Sequence, residues 1–332
     1  MPAYPEQNIS VYPADAFCVV AGANLGDGLS GAEDLVLDDL YRLRDDAHRR
    51  RLALEPLGDT TFRVARGSET GKPGDLVHLD CAITLMSPDG QSVEALILIE
   101  VDDDWLIESV HVLPLARIEP KTDYALVGCD KAAARRRFAQ VACVSFTAGT
   151  HITMATGKQV PIEDIRAGDR VLTRDAGPQE VRWIGHSTVR AVGDFAPVVI
   201  EKGVLNNNRD LVVSPEHRLF VYQRRDALGA GSPEILIKAR HLVNGSSVYV
   251  REGGFVDYYQ ILFDHHHIIY AEGIAAESML VDPRTRPVLP EELLTRVGTL
   301  LSDKGGAHGV EVQEALLNRP DAIDLLRRAS AG

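Results

Sequence analysis

No apolar run in this sequence approaches the about 18 residues that a membrane span requires, so a membrane-spanning chain is not expected. Cysteine is scarce. Cys18, Cys81, Cys129 and Cys143 show no paired metal-ligand spacing and are too few for a disulfide scaffold, which leaves reduced, mostly buried thiols as the expectation. Positive charge is short too: 35 Lys and Arg stand against 48 Asp and Glu, a net charge of -13. Phosphate binding needs a basic face, so no nucleic-acid partner is expected. The opening residues M-P-A-Y-P-E-Q-N offer neither a basic start nor an apolar segment behind it, and no targeting signal is read from them. A soluble, cytoplasmic protein is the default expectation, with export independent of a signal peptide as the other route.

What is present is enough apolar material for more than one core: 45% hydrophobic residues over 332 positions. Residues 1–130 read as a β-rich α+β domain. Val77 to Met86, Val93 to Val101 and Trp105 to Leu115 are rich in aliphatic and β-branched residues, with a Ser-Pro-Asp-Gly turn at 87–90. Leu35, Leu37, Leu40 and Leu43 among charges predict an amphipathic helix within Asp34 to Leu54. Asp102, Asp103 and Asp104 read as a solvated turn tip, because they lack the Gly hinge and closing Glu of a calcium loop. No catalytic constellation appears in this region. Lys131 to Gln140, K-A-A-A-R-R-R-F-A-Q, predicts a short helix that joins it to the second half of the chain.

From Val144 the pattern changes. The stretch V-S-F-T-A-G-T-H-I-T-M-A-T-G-K-Q-V-P-I-E-D-I-R-A-G-D-R-V-L-T sets Ser145 before a Phe-Thr-x-Gly-Thr turn and ends in a Gly-Asp turn at Gly168 and Asp169. Short strands come next, at Val181–Ile184, Val198–Ile200, Asp210–Val213, Leu219–Tyr222, Ile235–Ile237, Ser247–Val250 and Tyr258–Phe263. A meander of this kind predicts an all-β sandwich or closed barrel. Three later blocks carry distinctive residues: V-R-W-I-G at 181–185, L-V-V-S-P-E-H-R-L-F-V at 211–221, and Y-Y-Q-I-L-F-D-H-H-H-I-I-Y-A-E-G-I-A-A-E-S at 258–278. After these, Pro283, Pro287 and Pro290 mark a connector. Glu291–Leu301 and Val310–Ala329 then read as helices.

In this order the four blocks resemble the Hint domain, the self-processing module of Hedgehog C-terminal domains, inteins and bacterial intein-like proteins. The resemblance implies a mainly β chain. A Hint-type, horseshoe-like all-β domain would occupy 143–280, preceded by the β-rich domain at 1–130 and a helical linker at 131–142, with a Pro-rich connector and short helical tail after it at 281–332. It also implies self-cleavage before Ser145 through an acyl shift, with the chain's own N-terminal region as substrate, water or an unidentified nucleophile as acceptor, and no cofactor or metal. The rival implication is a Hint fold that no longer cuts and acts as a scaffold.

An amide is a poor electrophile. Holding a nucleophile against it at high effective concentration can supply roughly 7 to 11 kcal/mol of the barrier. On the resemblance Ser145 attacks the Val144 carbonyl, His217 protonates the leaving nitrogen, and Ser214 either positions that amide or holds the imidazole. His266 or His267 lends a hydrogen bond near the cleavage point. Cys143 is a nucleophile in a shifted register.

Three features depart from the family pattern. Ser stands where Cys is usual, so the acyl shift is expected to be slower. Glu277-Ser278 stands where splicing inteins carry His-Asn, so splicing is not expected. No acid lies at Gln260, near which the family supplies one, and Asp264 is the candidate stand-in. His265, His266 and His267 are consecutive, so on a strand at most two share a face, too few for zinc on their own.

Overall fold

The computed structural model describes residues 7–58, 60–143, 145–223, 226, 228–282, 285–290, 293, 310–312, 314–317 and 322–330. The chain divides into two units, one of residues 1–141 with 282–290 and one of residues 142–281 with 291–332. The first contains β1 (Gln7–Pro13), β2 (Phe17–Ala21), β3 (Leu40–Leu43), β4 (Arg50–Pro56) and β5 (Thr61–Val64). It continues through β6 (Leu76–Met86), β7 (Ser92–Val101), β8 (Ile107–Pro114), β9 (Asp123–Asp130) and the helix α1 (Lys131–Ala142). Strands β6, β5, β4, β1, β8 and β7 are neighbours in that order in the sheet, and β7 pairs back onto β6, which closes a barrel. β9, β3 and β2 extend the sheet from β6.

The long strand β6 shows why this chain makes sheet. Val77, Leu79, Cys81, Ile83 and Leu85 are buried while the residues between them are not, the period of two that a pleated strand imposes. The helix expected within Asp34–Leu54 is absent. β3 and β4 occupy that stretch instead, with Tyr41 and Leu43 buried between β2 and β9. Asp38 there takes a left-handed conformation, φ 70°, which a helix cannot accommodate. Cross-strand pairing and burial override a spacing compatible with either element.

The acidic tip shows the expected turn chemistry: Asp102 Oδ1 accepts the amides of Asp104 and Leu106, each at 2.9 Å. Helix α1 forms as expected and is capped by Asp130, whose Oδ1 accepts the amides of Ala132 and Ala133. Its Phe138 is buried against Phe62, ring centroids 5.1 Å apart. The four thiols are free, but only Cys81 and Cys143 are buried; Cys18 is half-buried and Cys129 exposed. Burial and the neighbouring Cys129 push the Cys81 thiol well above its ordinary pKa. Among the described residues no helix is long and apolar enough to cross a membrane.

The second unit begins with β10 (Phe146–Thr147), β11 (His151–Thr153), β12 (Gln159–Pro161), β13 (Arg170–Thr173), β14 (Gly177–Glu180) and β15 (Trp183–Arg190). Next come β16 (Val198–Ile200), β17 (Leu211–Val213), β18 (Arg218–Tyr222), β19 (Glu234–Lys238) and β20 (Val248–Val250). β21 (Phe255–Leu262), β22 (Ile268–Ala271), β23 (Ile274–Glu277), β24 (Val310–Glu311) and the helices α2 (Glu314–Leu317) and α3 (Ala322–Ser330) complete it. One sheet runs β15-β21-β10-β17-β16-β20. The other runs β12-β11-β22-β23-β18-β19-β24, with the β13–β14 hairpin joined at β22.

The short strands read from the sequence are present with shifted ends, the first starting at Trp183 rather than Val181 and running on to Arg190, and the Gly-Asp turn sits at Gly168 with φ 96°. Val310 lies in a strand, not a helix, because β24 pairs parallel to β19. The helix expected at Glu291–Leu301 lies outside the described residues apart from Leu293. Both sheets and the C-terminal segment share one core, in which Phe146, Val213, Ile261 and Ile269 pack together with Val312, Leu317 and Leu326.

Candidate active site

β10 is only two residues long, yet it lies between two strands: Phe146 pairs with Val213 of β17 and with Tyr259 of β21. Ser145, one step before it, therefore faces the end of β17 on one side and Gln260 on the other. Its hydrogen bonds reflect that position. The Ser145 amide donates to Ser214 Oγ at 3.0 Å, and the Ser214 amide donates to the Ser145 carbonyl at 2.9 Å. Ser214 Oγ donates in turn to the Cys143 carbonyl at 3.3 Å. One hydroxyl thus spans the junction, touching the nitrogen of Ser145 and the carbonyl two residues upstream. Val144 itself lies outside the described residues.

The spacing of Ser214 and His217 has a local cause. Ser214-Pro215-Glu216-His217 is a β-turn closed by a bond from the His217 amide to the Ser214 carbonyl at 3.0 Å, with proline at the position whose φ it presets. The turn brings both side chains to Ser145. His217 Nδ1 donates to the Ser145 carbonyl at 3.1 Å, and its ring lies 4.3 Å from that of Phe146. His217 contacts the carbonyl of Ser145 in this arrangement, while Ser214 contacts the nitrogen. The imidazole is completely buried, and burial pushes its pKa down to about 4. The Ser145 and Glu277 backbones favour the charged form without overcoming that penalty, and Arg218 adds to it. It is therefore neutral near pH 7.

Gln260, in the sequence a missing acid, reaches the centre: its Nε2 donates to Ser145 Oγ at 2.7 Å. The three histidines go elsewhere. His267 Nδ1 donates to Asp175 at 2.8 Å, and its amide to Ser278 Oγ at 2.9 Å. His266 Nε2 lies 3.4 Å from Glu277 Oε1, and His265 is exposed. They sit between β21 and β22, outside any strand, so shared faces do not arise. Asp264 is held by Arg182 at 2.7 Å, a pairing that keeps its carboxyl well below the ordinary range. Cys143 is buried and contributes its backbone carbonyl to the Ser214 contact.

A charge network flanks His217. Arg218 Nε meets Glu277 at 2.5 Å and its Nη1 meets Glu311 at 3.2 Å. Lys238 joins Glu311 at 3.3 Å to Glu216 at 3.0 Å. Burial pushes Glu216 up, but Lys238 and Arg240 outweigh it and hold the carboxyl below its usual range.

Residues 144–283 match the family model of the Hint domain. This segment is a Hint domain. The Hint domain is a self-processing fold, and here it begins at the junction that Ser214 spans. Three solved structures similar to part of this chain are inteins. The MchDnaB-1 intein is 15% identical over 40% of this chain and 98% of its own, with a TM-score of 0.27. The Ssp DnaB mini-intein variant M86 is 10% identical over 42% and 97%, TM-score 0.28. The gp41-1 intein is 14% identical over 40% and 97%, TM-score 0.26. No curated protein matches the chain.

Proposed function

We propose that the Hint domain cleaves its own chain between Val144 and Ser145. Ser145 Oγ adds to the Val144 carbonyl carbon, the bond from that carbon to the Ser145 nitrogen breaks, and the hydroxyl proton ends on the nitrogen. The product is an ester at Ser145 with a free amine. Water or another nucleophile then takes the acyl group, which restores the hydroxyl and releases the N-terminal region. The observation that carries this reading is the doubly bonded Ser214 hydroxyl, within reach of the leaving nitrogen. It accepts the Ser145 N–H and so holds the leaving nitrogen in place, while neutral His217 fixes the Ser145 carbonyl and aligns the junction. Splicing is not part of the reaction. Position 278 is a serine whose hydroxyl accepts the His267 amide, and it has no side-chain amide to cyclise.

Ser145→Cys supplies a better nucleophile in the same place. Incubation of full-length protein with hydroxylamine should release residues 1–144, and faster from Ser145→Cys than from the wild type. His217→Ala in the Ser145→Cys background should slow release by about 100-fold, the scale of a lost alignment. Fragment masses separate this break from hydroxylamine cutting at Asn244-Gly245. A Ser145→Cys chain that stays intact at Val144 refutes the proposal, and loss of cutting on Cys143→Ser would move the reaction to Cys143.

A further inference from the structure

We propose that Gln260 holds the Ser145 hydroxyl for reaction, and that Gly185 and Trp183 are there to seat Gln260. This rests on the reading of Ser145 as the attacking group. Gln260 on β21 stands directly opposite Gly185 on β15 in the antiparallel register. A Cβ on Gly185 would lie 2.4 Å from Gln260 Oε1 and 2.2 Å from a ring carbon of Trp183, closer than real side chains approach. The glycine is needed for space, not for conformation, since its φ is not among the left-handed ones. Trp183 and Gly185 share one face of β15, two residues apart, while Ile184 points the other way into the core. The Trp-Ile-Gly run, which the cleavage chemistry leaves without a task, thus forms the floor on which the Gln260 carboxamide lies with its Nε2 on Ser145 Oγ, 2.7 Å away.

A carboxamide does one thing a carboxylate does not, and lacks one thing a carboxylate has. It donates to Oγ, which fixes the oxygen in place, and it has no basic site to take up the hydroxyl proton. Wild-type cleavage therefore depends on alignment, and a group at this position adds no pH dependence of its own to the rate. Glutamate at the same position would accept from the hydroxyl. The proton would move to the carboxylate as the bond from oxygen to the Val144 carbon forms, and on to the nitrogen as the amide bond breaks.

Release of residues 1–144 under hydroxylamine, measured by mass on full-length protein, tests this. Gln260→Met keeps length and removes the donor, so release should slow about tenfold, the scale of one hydrogen bond. Gly185→Ala should slow it similarly, and the double variant should be no slower than either alone, because both act through one contact. Relative to the wild type at the same pH, the Gln260→Glu rate should climb across the carboxylate range, a change that altered packing alone would not produce. An unchanged rate in Gln260→Met, additive effects in the double variant, or a ratio of Gln260→Glu to wild type that does not change with pH would each overturn the inference. If Ser145→Cys is cut at Val144 and the wild type is not, the hydroxyl is not held for reaction and this inference fails alone. If neither is cut, the proposed cleavage fails and takes this inference with it.

Discussion

At the scale of single residues the decisive property is the complete burial of His217. Its native pKa of about 4 lies below the ordinary 6.5, so between those values the unfolded chain binds a proton that the native chain refuses. Stability from this group is therefore full above about pH 6.5 and is lost as pH falls toward 4. The loss is on the order of 3 kcal/mol. Urea midpoints measured from pH 7.5 down to 4 should therefore fall, and the fall should be shallower in His217→Gln, where only the remaining groups titrate. Equal slopes in the two proteins would mean that His217 is not the buried neutral group described. The same burial keeps the imidazole from acting as a cation at neutral pH, and in the proposed reaction it acts through the Nδ1 hydrogen bond to the Ser145 carbonyl.

At the scale of elements, short pieces carry the positions that matter. The cap on α1 is one example. Asp130 Oδ1 satisfies two amides of the first turn, so Asp130→Ala should destabilise the first unit by about 1 kcal/mol. Thermal unfolding of residues 1–141 within the intact chain, combined with hydrogen exchange at Ala132 and Ala133, would register it; unchanged exchange there would remove the cap from the account. The strands of the second unit are legible in the sequence because each is a β-branched or aliphatic run between turn residues, as in Val198–Ile200. Ser145, Ser214 and His217 are legible through the resemblance of their blocks to the Hint domain, and the Pro215 turn is the local reason for the spacing of the last two. Tyr41 and Leu43 are not, because leucines at 35, 37, 40 and 43 fit a helix face as well as a strand, and only pairing with β2 and β9 decides. Gln260 registers in the sequence only as a lost acid. Its role depends on a cross-strand neighbour, Gly185, lying 75 residues away in sequence, and no local pattern carries that distance. Asp175 leaves no signal at all, because an aspartate in a turn is ordinary turn chemistry.

At the scale of the second unit, the chain after the matched segment returns to complete the fold. β24 adds to β19, and Val312, Leu317 and Leu326 enter the same core as Phe146 and Val213. Glu311, on β24, lies between Arg218 and Lys238. Burial pushes its carboxyl up, and those two cations outweigh that and bring it below the ordinary range. Arg218 comes directly after His217 and Glu216 directly before it, so the C-terminal strand helps to hold both neighbours of the buried imidazole. Leu326→Ala, at a fully buried position, should cost roughly 2 to 5 kcal/mol. Glu311→Ala should cost less, about 1 to 2 kcal/mol, because Arg218 keeps Glu277 and Lys238 keeps Glu216. The two differ in what else they change. Leu326→Ala removes packing remote from the turn and should leave the cleavage rate of the folded fraction intact. Glu311→Ala unbalances charge beside His217 and should lower that rate at equal folded fraction. Urea titration paired with hydroxylamine release on both variants separates the effects. Equal rates would confine the C-terminal segment to stability, whereas a loss only in Glu311→Ala would make it part of the frame that aligns Ser145.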